Sequence, residues 1–250
     1  MHCKFKLIVT GHGERDFIPL LFRSLTESAN CSFSVLRRIG QRSPITSEAR
    51  RIQMVGSGKT IPTRDEQELG LPARRFLRER PSHFLVLIDD IERDRRPYIE
   101  AVFARYRKAF DTMLRPDERS RAAVHFFANM LEAYYFADSR AVNKALGCCV
   151  LAQDHHGDVE EISHPKNDLK ALIRGFDERT HGAEIVALLD LDHVLGNPKT
   201  CGFLRALFGW CVEKSLATAE IFDDQLQTRY GLPDGRQEPL TKNQVAHVTN

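Results

Sequence analysis

Short apolar runs alternate with amphipathic stretches over the first part of the chain. The segment 5–10 is rich in β-prone residues and stops at two glycines, which predicts a strand, and 31–39 alternates as a second strand would. The runs 83–88 and 122–128 are apolar throughout, as is typical of strands buried on both faces. Helical spacing of apolar residues lies between these strands, at 18–25, 65–78 and 97–114, and resumes from 129.

This alternation of strands and helices predicts an α/β domain, residues 1–140, with a mostly parallel sheet flanked by helices. After Asp138 the pattern changes to short helices without a further strand, at 138–146, 166–174, 181–190 and 200–217. We therefore expect residues 141–230 to form a helical C-terminal extension packed on the sheet. Residues 231–250 carry few large apolar side chains and are expected to form a polar tail that is frayed or binds a partner.

The composition is that of a globular protein and excludes a collagen-like or disordered chain, with 42% of the 250 residues hydrophobic and 28% charged. The longest apolar runs, such as 84–88 and 124–128, are far shorter than the ~20 residues that span a bilayer. The amino terminus leads directly into the first strand, without the apolar core of a signal peptide. We expect a cytoplasmic protein without a membrane partner.

Charge is distributed unevenly along the chain. Residues 1–125 carry 24 Lys and Arg against 16 Asp and Glu, whereas residues 126–250 carry 12 against 18. Because Arg predominates and its planar guanidinium suits phosphate groups, the basic first half favours a polyanion, DNA or RNA, as a partner. The candidate contacts lie in and just before a loop over 40–63: Arg37, Arg38, Arg42, Arg50, Arg51 and Lys59. A solvated surface loop explains the same residues equally well.

Acidic residues follow three of the predicted strands. Glu14 ends the turn after the first strand, the third strand is followed by an acidic cluster, and Glu132 comes one helical turn after the fourth. The cluster consists of Asp89, Asp90 and Glu92. Since the carboxyl ends of parallel strands meet at one edge, these groups are expected to converge, and crowded carboxylates need a compensating cation. The sequence therefore predicts a site for Mg²⁺ or Mn²⁺.

Such a site is suited to metal-assisted phosphoryl transfer, in which the cation neutralises phosphate charge and activates water. We assign Glu14 as a metal ligand or general base and Asp89, Asp90 and Glu92 as the acidic cluster around the metal. Glu132 is an additional candidate ligand. Lys166 is a candidate for stabilising negative charge in the transition state. A solvated charged loop explains the cluster at 89–94 taken alone, so the hypothesis depends on the convergence of several strand ends.

The order of these motifs resembles the Toprim fold of topoisomerases, bacterial primases and OLD-type nucleases. The segment 7–14, LIVTGHGE, is similar to that fold's first strand with its glutamate, and 85–92, LVLIDDIE, to its acidic motif. The segments 127–138 and 164–169 are similar to later motifs of bacterial Toprim-like proteins found beside ATPase genes in suspected phage-defence loci. A strict D-x-D is absent: Asp90-x-Glu92 fits with Glu as the second acid, while Asp89 lies at the strand end, and which two bind metal stays open.

The resemblance implies a nuclease or phosphodiesterase that acts in anti-phage defence with an ATPase partner of the AAA or ABC type. Two alternative functions are also consistent with the sequence. The turn that contains His12 is also similar to the start of histidine phosphatases, with His181 imitating their second histidine, although Gly11 stands where that family has an arginine. A degenerate Toprim-like module that only binds a partner is the other alternative.

Overall fold

Four parallel strands form the central sheet of the computed structural model, which describes residues 1–11, 14–43, 52–53, 60–218, 224–230, 232 and 234–244. Along the chain the strands are β1 (Cys3–Val9), β2 (Cys31–Arg38), β3 (Ile52–Gln53), β4 (Thr60–Ile61), β5 (His83–Ile91) and β6 (Ala122–Ala128). The sheet has the order β2-β1-β5-β6, and β3 and β4 form a separate antiparallel pair. The predicted α/β class with a parallel sheet is confirmed.

The helices follow the predicted positions closely, with extra breaks. They are α1 (Glu14–Leu21), α2 (Arg23–Ser28), α3 (Leu71–Leu77), α4 (Ile99–Met113), α5 (Pro116–Arg119), α6 (Ser139–Leu146), α7 (Pro165–Leu172), α8 (Thr180–Leu188), α9 (Leu191–Gly196), α10 (Gly202–Ala217), α11 (Asp224–Arg229) and α12 (Pro239–Lys242). A π-helical turn at Glu66–Gly70 precedes α3, and 3₁₀ helices lie at Arg96–Tyr98, Leu131–Ala137 and Val159–Glu161. None of the helices in this described part of the chain is long and apolar enough to cross a membrane.

One face of the sheet, here called the front face, carries Phe5, Leu7, Val86 and Phe127 and shares one hydrophobic core with most of the C-terminal helices. The indole of Trp210 on α10 meets the ring of Phe5 edge-on at 6.2 Å. Such aromatic contacts add to the free energy of burying apolar surface. Most of the C-terminal helices therefore share their core with the front face of the sheet.

The opposite face, here called the back face, is covered by α3 and α4. It carries Ile8, Leu85, Leu87 and Val124, which pack with apolar residues of these two helices. Because side chains alternate along a strand, neighbouring residues of β5 belong to different faces. This alternation decides the placement of the acidic residues at the end of β5.

Residues of the expected polar tail pack against the outer edge of the sheet. The side chain of Gln244 donates to the carbonyl of Val124 at 2.8 Å and accepts from its amide at 3.0 Å. Thr241 in α12 is fully buried. The amide group of Gln244 thus takes the place of a neighbouring strand at one residue of β6, an edge that would otherwise expose backbone groups.

A fully buried imidazole lies in the front-face core. His125 on β6 is 0% exposed, faces the Trp210 ring, and has no hydrogen-bond partner among the described residues for either ring nitrogen. Burial lowers the pKa of His125 from 6.5 to about 3. The folded protein therefore holds this ring neutral, whereas the unfolded chain protonates it below its ordinary pKa.

We predict that His125 makes the protein sensitive to acid. Above pH 6.5 it has no effect, and as the pH falls from 6.5 towards 3 the free energy of unfolding decreases by up to about 1.4 kcal/mol per pH unit from this group. Urea unfolding at pH 7.0 and 5.5 measures the effect in wild type and His125→Leu. The decrease should be about 1–2 kcal/mol smaller in the variant. Equal decreases in both proteins would contradict the assignment.

Candidate metal centre

The carboxyl ends of β1 and β5 lie side by side at the centre of the sheet. From β1 the chain passes to β2 on one side and later to β5 on the other, so the strand order reverses between β1 and β5. The crevice at such a reversal is where open α/β sheets bind ligands. The predicted adjacency of the first and third strands is therefore confirmed.

Asp89 lies on the back face and is fully committed to structure. Its carboxylate accepts hydrogen bonds from the hydroxyls of Thr10, at 2.7 Å, and Tyr106, at 2.9 Å. Arg95 forms an ion pair with it at 2.7 Å, and Asp89 is 0% exposed. Burial, followed by the negative charge of Asp89, raises the pKa of Tyr106 well above its ordinary value. Asp89, a predicted metal ligand, is enclosed by these partners instead of facing the crevice.

Asp90 lies on the front face, because it alternates with Asp89 along the same strand. β5 runs three residues beyond the predicted end at Ile88, so both aspartates are strand residues. Asp90 is half-buried, and Glu92, just past the strand, is half-buried as well. Of the three acids in the predicted cluster, Asp90 thus lies on the front face, and Glu92 follows directly after the end of the strand.

Glu14 begins α1, the helix that covers the front face next to β1. The structure describes its backbone position but not its side chain, and His12 lies outside the described residues. The start of α1, the front-face residue Asp90 and the 3₁₀ helix after β6 therefore lie on the same side of the sheet. His181, the other histidine of the phosphatase alternative, accepts a hydrogen bond from the amide of Asp177 at 2.9 Å and stacks on Phe176.

The turn after β6 is strained and holds an unsatisfied amide oxygen. Asn129 has φ 57° and Met130 has φ 113° with ψ 163°, a combination that is otherwise nearly confined to glycine. Asn129 is 4% exposed, its amide nitrogen Nδ2 donates to the carbonyl of Glu160 at 2.9 Å, and its Oδ1 has no hydrogen-bond partner among the described residues. Because a carbonyl only accepts, this bond fixes which side-chain atom is the oxygen. Its backbone amide donates to Ile91, which places it beside the acidic segment.

Glu132 lies in the 3₁₀ helix that follows this turn and is half-buried. Burial and then the charge of Glu178 raise its pKa, against the opposing effects of Lys166 and Lys170. Lys166 forms an ion pair with Glu178 at 2.6 Å. The predicted residues Glu132 and Lys166 are thus brought into one charged group, in which the charged form of Glu132 is disfavoured.

A second buried acid near this turn serves as a helix cap. Glu160 accepts hydrogen bonds from the amides of Phe203 and Leu204 at the start of α10 and from the hydroxyl of Tyr134. Burial and then the charge of Asp158 raise the pKa of Glu160 to about 7. These contacts satisfy the orphan amides at the beginning of α10. Sequence reasoning did not identify Glu160, because its partners are distant along the chain.

The predicted nucleic-acid contacts divide into three groups. Arg42 is 5% exposed and forms ion pairs with Asp65, at 2.6 Å, and Glu68. Arg37 donates to a backbone carbonyl at 3.1 Å, whereas Arg38 is exposed. The structure thus removes Arg42 from the surface that nucleic acid could reach. The remaining members lie outside the described residues: Arg50, Arg51 and Lys59.

Among the described residues, the group whose ligand atoms are close enough to share a metal ion is one that was not predicted, and Asp90, Glu92 and Glu132 do not form such a group. One ligand atom each from Asp138, Asp154 and His193 lie within 4.8 Å of one another. Asp138 caps α6 and accepts from the amide of Asp190, while Asp154 pairs with His193 at 2.7 Å. Hydrogen bonds within the protein therefore account for the arrangement. The three residues are far apart in sequence and show no ligand spacing that could have identified them.

Comparisons with protein-family models, with curated proteins and with solved structures gave no significant match. The resemblance to the Toprim fold therefore depends on the sequence motifs alone.

We predict that substitution of the two neighbouring aspartates lowers the free energy of unfolding to very different extents. Asp89→Asn removes the charge that neutralises buried Arg95 and should lower the free energy of unfolding by about 3 kcal/mol. Asp90→Asn, one residue along on the other face, should change it by less than about 1 kcal/mol. Urea denaturation of both variants at pH 7 provides the measurement. Similar losses in the two proteins would show that the faces are wrongly assigned.

The strain at Met130 leads to a second prediction. Glycine normally destabilises a chain relative to alanine, but at this backbone conformation only glycine is unstrained. Met130→Gly should therefore be more stable than Met130→Ala by about 1 kcal/mol. Thermal unfolding of the pair gives the comparison, since both lose the same side-chain contacts. An alanine variant that equals or exceeds the glycine variant would argue against strain at this turn.

Proposed function

We propose that the chain is a divalent-cation-dependent phosphoryl-transfer enzyme, specifically a nuclease, with its metal on the front side of the carboxyl edge. The observation that carries this proposal is the separation of Asp89 from Asp90. Because Thr10, Tyr106 and Arg95 hold the carboxylate of Asp89, we assign the cation to Asp90, on the other face of the strand, and to Glu92 just after it. This pair has the spacing of the Toprim acidic motif, with Glu as its second acid.

The surrounding groups suit a hard cation that prefers oxygen ligands. Oδ1 of Asn129 is a buried acceptor without a protein donor among the described residues. Burial disfavours the charged form of Glu132, and a nearby cation would restore it. Glu14 would complete the set as a ligand or general base from the start of α1. When bound, the cation would neutralise phosphate charge and activate water.

The roles of the chain's own residues follow from this arrangement. Asp90, Glu92 and Glu132 would hold the cation, and Asn129 would add a neutral oxygen at the strained turn. Lys166, which pairs with Glu178, would add positive charge near the phosphate. The enclosure of Asp89 would keep its charge from competing for the cation.

The resemblance also leads us to propose an ATPase partner of the AAA or ABC type and a role in anti-phage defence. Cleavage of nucleic acid that is withheld until a partner responds would protect the host from its own nuclease. The first half of the chain is basic and the second half acidic, an asymmetry that suits docking of a partner as well as binding of a substrate.

The first test measures metal binding and nucleic-acid cleavage separately. Binding of Mn²⁺, followed by calorimetry, should weaken at least tenfold in Asp90→Asn and in Glu132→Gln. Cleavage of a panel of DNA and RNA in Mg²⁺ or Mn²⁺, by the chain alone and with a co-purified ATPase, should be lost in the same variants. Glu213→Gln on α10 serves as the matched control, since Glu213 is an exposed glutamate paired only with its neighbour Lys214.

Two results would contradict the proposal. Mn²⁺ affinity that is unchanged in Asp90→Asn would remove the metal from this edge. Cleavage that persists in chelator would exclude a metal-dependent nuclease. Activity of the chain alone that is lost in Asp90→Asn would support the site and exclude a strict need for the partner.

A further inference from the structure

We propose that a cleft at the amino end of the sheet, which we call the amino-end cleft, binds a nucleoside phosphate. The cleft has a volume of about 680 Å³ and lies between α3 and the back face of β1 and β2. Ligand pockets in proteins commonly measure about 300–1,000 Å³. Its lining includes Lys4, Lys6, Ser34, Arg75, Phe76 and His83.

The cleft exists because the back face is only partly covered. α3 and α4 pack on β5 and β6, whereas β2 is the edge strand on the other side. Lys4 and Lys6 alternate with the front-face residues of β1 and so point towards the back. Lys6 pairs in register with Ser34 of β2, which places an ammonium and a hydroxyl side by side.

The cleft has an excess of uncommitted positive charge. Among the described residues, no ion pair involves Lys4, Lys6 or Arg75. Glu79 is the one acid in the lining, and it lies 3.6 Å from Nδ1 of His83. Three cations around one concavity raise the local concentration of anions and suit phosphate oxygens.

The imidazole ring of His83 forms part of the wall. It is 3% exposed, its Nδ1 lies 3.0 Å from the carbonyl of Phe76, and its Nε2 has no hydrogen-bond partner among the described residues. Because the carbonyl only accepts, Nδ1 carries the proton and Nε2 of the neutral ring is an acceptor. Since Nε2 lies beneath the surface of the cleft, the ring serves as a flat wall, stacked on the ring of Phe76 with 4.3 Å between centroids.

An apolar part of the lining completes the match. Leu36, Leu71 and Pro72 are half-buried and line the same cleft. A ligand that carries phosphate for the cations and a flat apolar group for this surface has the chemistry of a nucleotide.

Protection of an edge strand does not account for all of these features. Inward-facing lysines do discourage edge-to-edge pairing of sheets. That role does not require a cleft of ligand size. The site is also separate from the candidate metal centre, because Lys4 in β1 lies six residues before Thr10, which directly follows the strand, about 20 Å away at the rise of a strand.

Calorimetry with the full chain at low salt tests the proposal, with AMP, GMP, CMP and UMP as ligands. Inorganic phosphate and adenosine are titrated separately. At least one nucleotide should bind tenfold or more tightly than either fragment. The double variant Lys4→Ala, Lys6→Ala should weaken that binding at least tenfold, and both substitutions lie at exposed or half-buried positions. Lys199→Ala, an exposed lysine far along the chain, is the control for loss of charge.

Several outcomes would overturn the proposal. They are the absence of nucleotide binding at millimolar concentration, phosphate binding as tight as nucleotide binding, and equal affinities in the double variant and the Lys199→Ala control. Asp90→Asn should leave nucleotide affinity unchanged. Loss of binding in that variant would place the nucleotide at the metal centre and contradict a second site.

Discussion

A carboxylate buried in a central strand must be neutralised where it lies, and the carboxyl edge of this sheet is arranged around that requirement at Asp89. Burial of an unpaired charge is far more costly than any single packing defect. Thr10 from the end of β1, Tyr106 from α4 and Arg95 from the turn after β5 all contact this one group. Arg95 also donates to the carbonyl of Arg42, whose amide donates to Tyr106. The segment after β2 is thereby fixed to the same point.

Because Asp89 is enclosed, the back and front sides of the carboxyl edge differ in how their polar groups are paired. The back side is closed by hydrogen bonds and ion pairs. The front side keeps Asp90, the strained turn at Asn129 and the desolvated Glu132. Backbone strain persists only where the surroundings hold it, and here the carbonyls of Ile91 and Glu160 hold Asn129 through its backbone and side-chain amides. Backbone strain and a desolvated carboxyl group therefore lie on the front side, where the proposed cation would restore the charged form of Glu132.

The sequence predicts the fold well, since apolar runs, glycines and helical spacing are local signals. The parallel sheet, its central strands and the convergence of β1 and β5 all follow from them. The sequence could not predict which acid is structural and which is a candidate ligand, because this depends on β5 continuing past Ile88. One residue then separates a structural aspartate, Asp89, from a candidate ligand, Asp90. Arg42 was unpredictable for a related reason: its partners Asp65 and Glu68 are brought to it only by the tertiary fold.

The fold also limits how many arginines of the basic first half are available to bind an anionic ligand. Several arginines of the first half are committed to ion pairs within the protein, namely Arg78, Arg95, Arg105 and Arg107. Their carboxylate partners leave less of this positive charge for a polyanion. The amino-end cleft differs, because two lysines and one arginine in its lining form no ion pair among the described residues. Charge counts indicate an excess, but the fold decides which cations are left to bind anything.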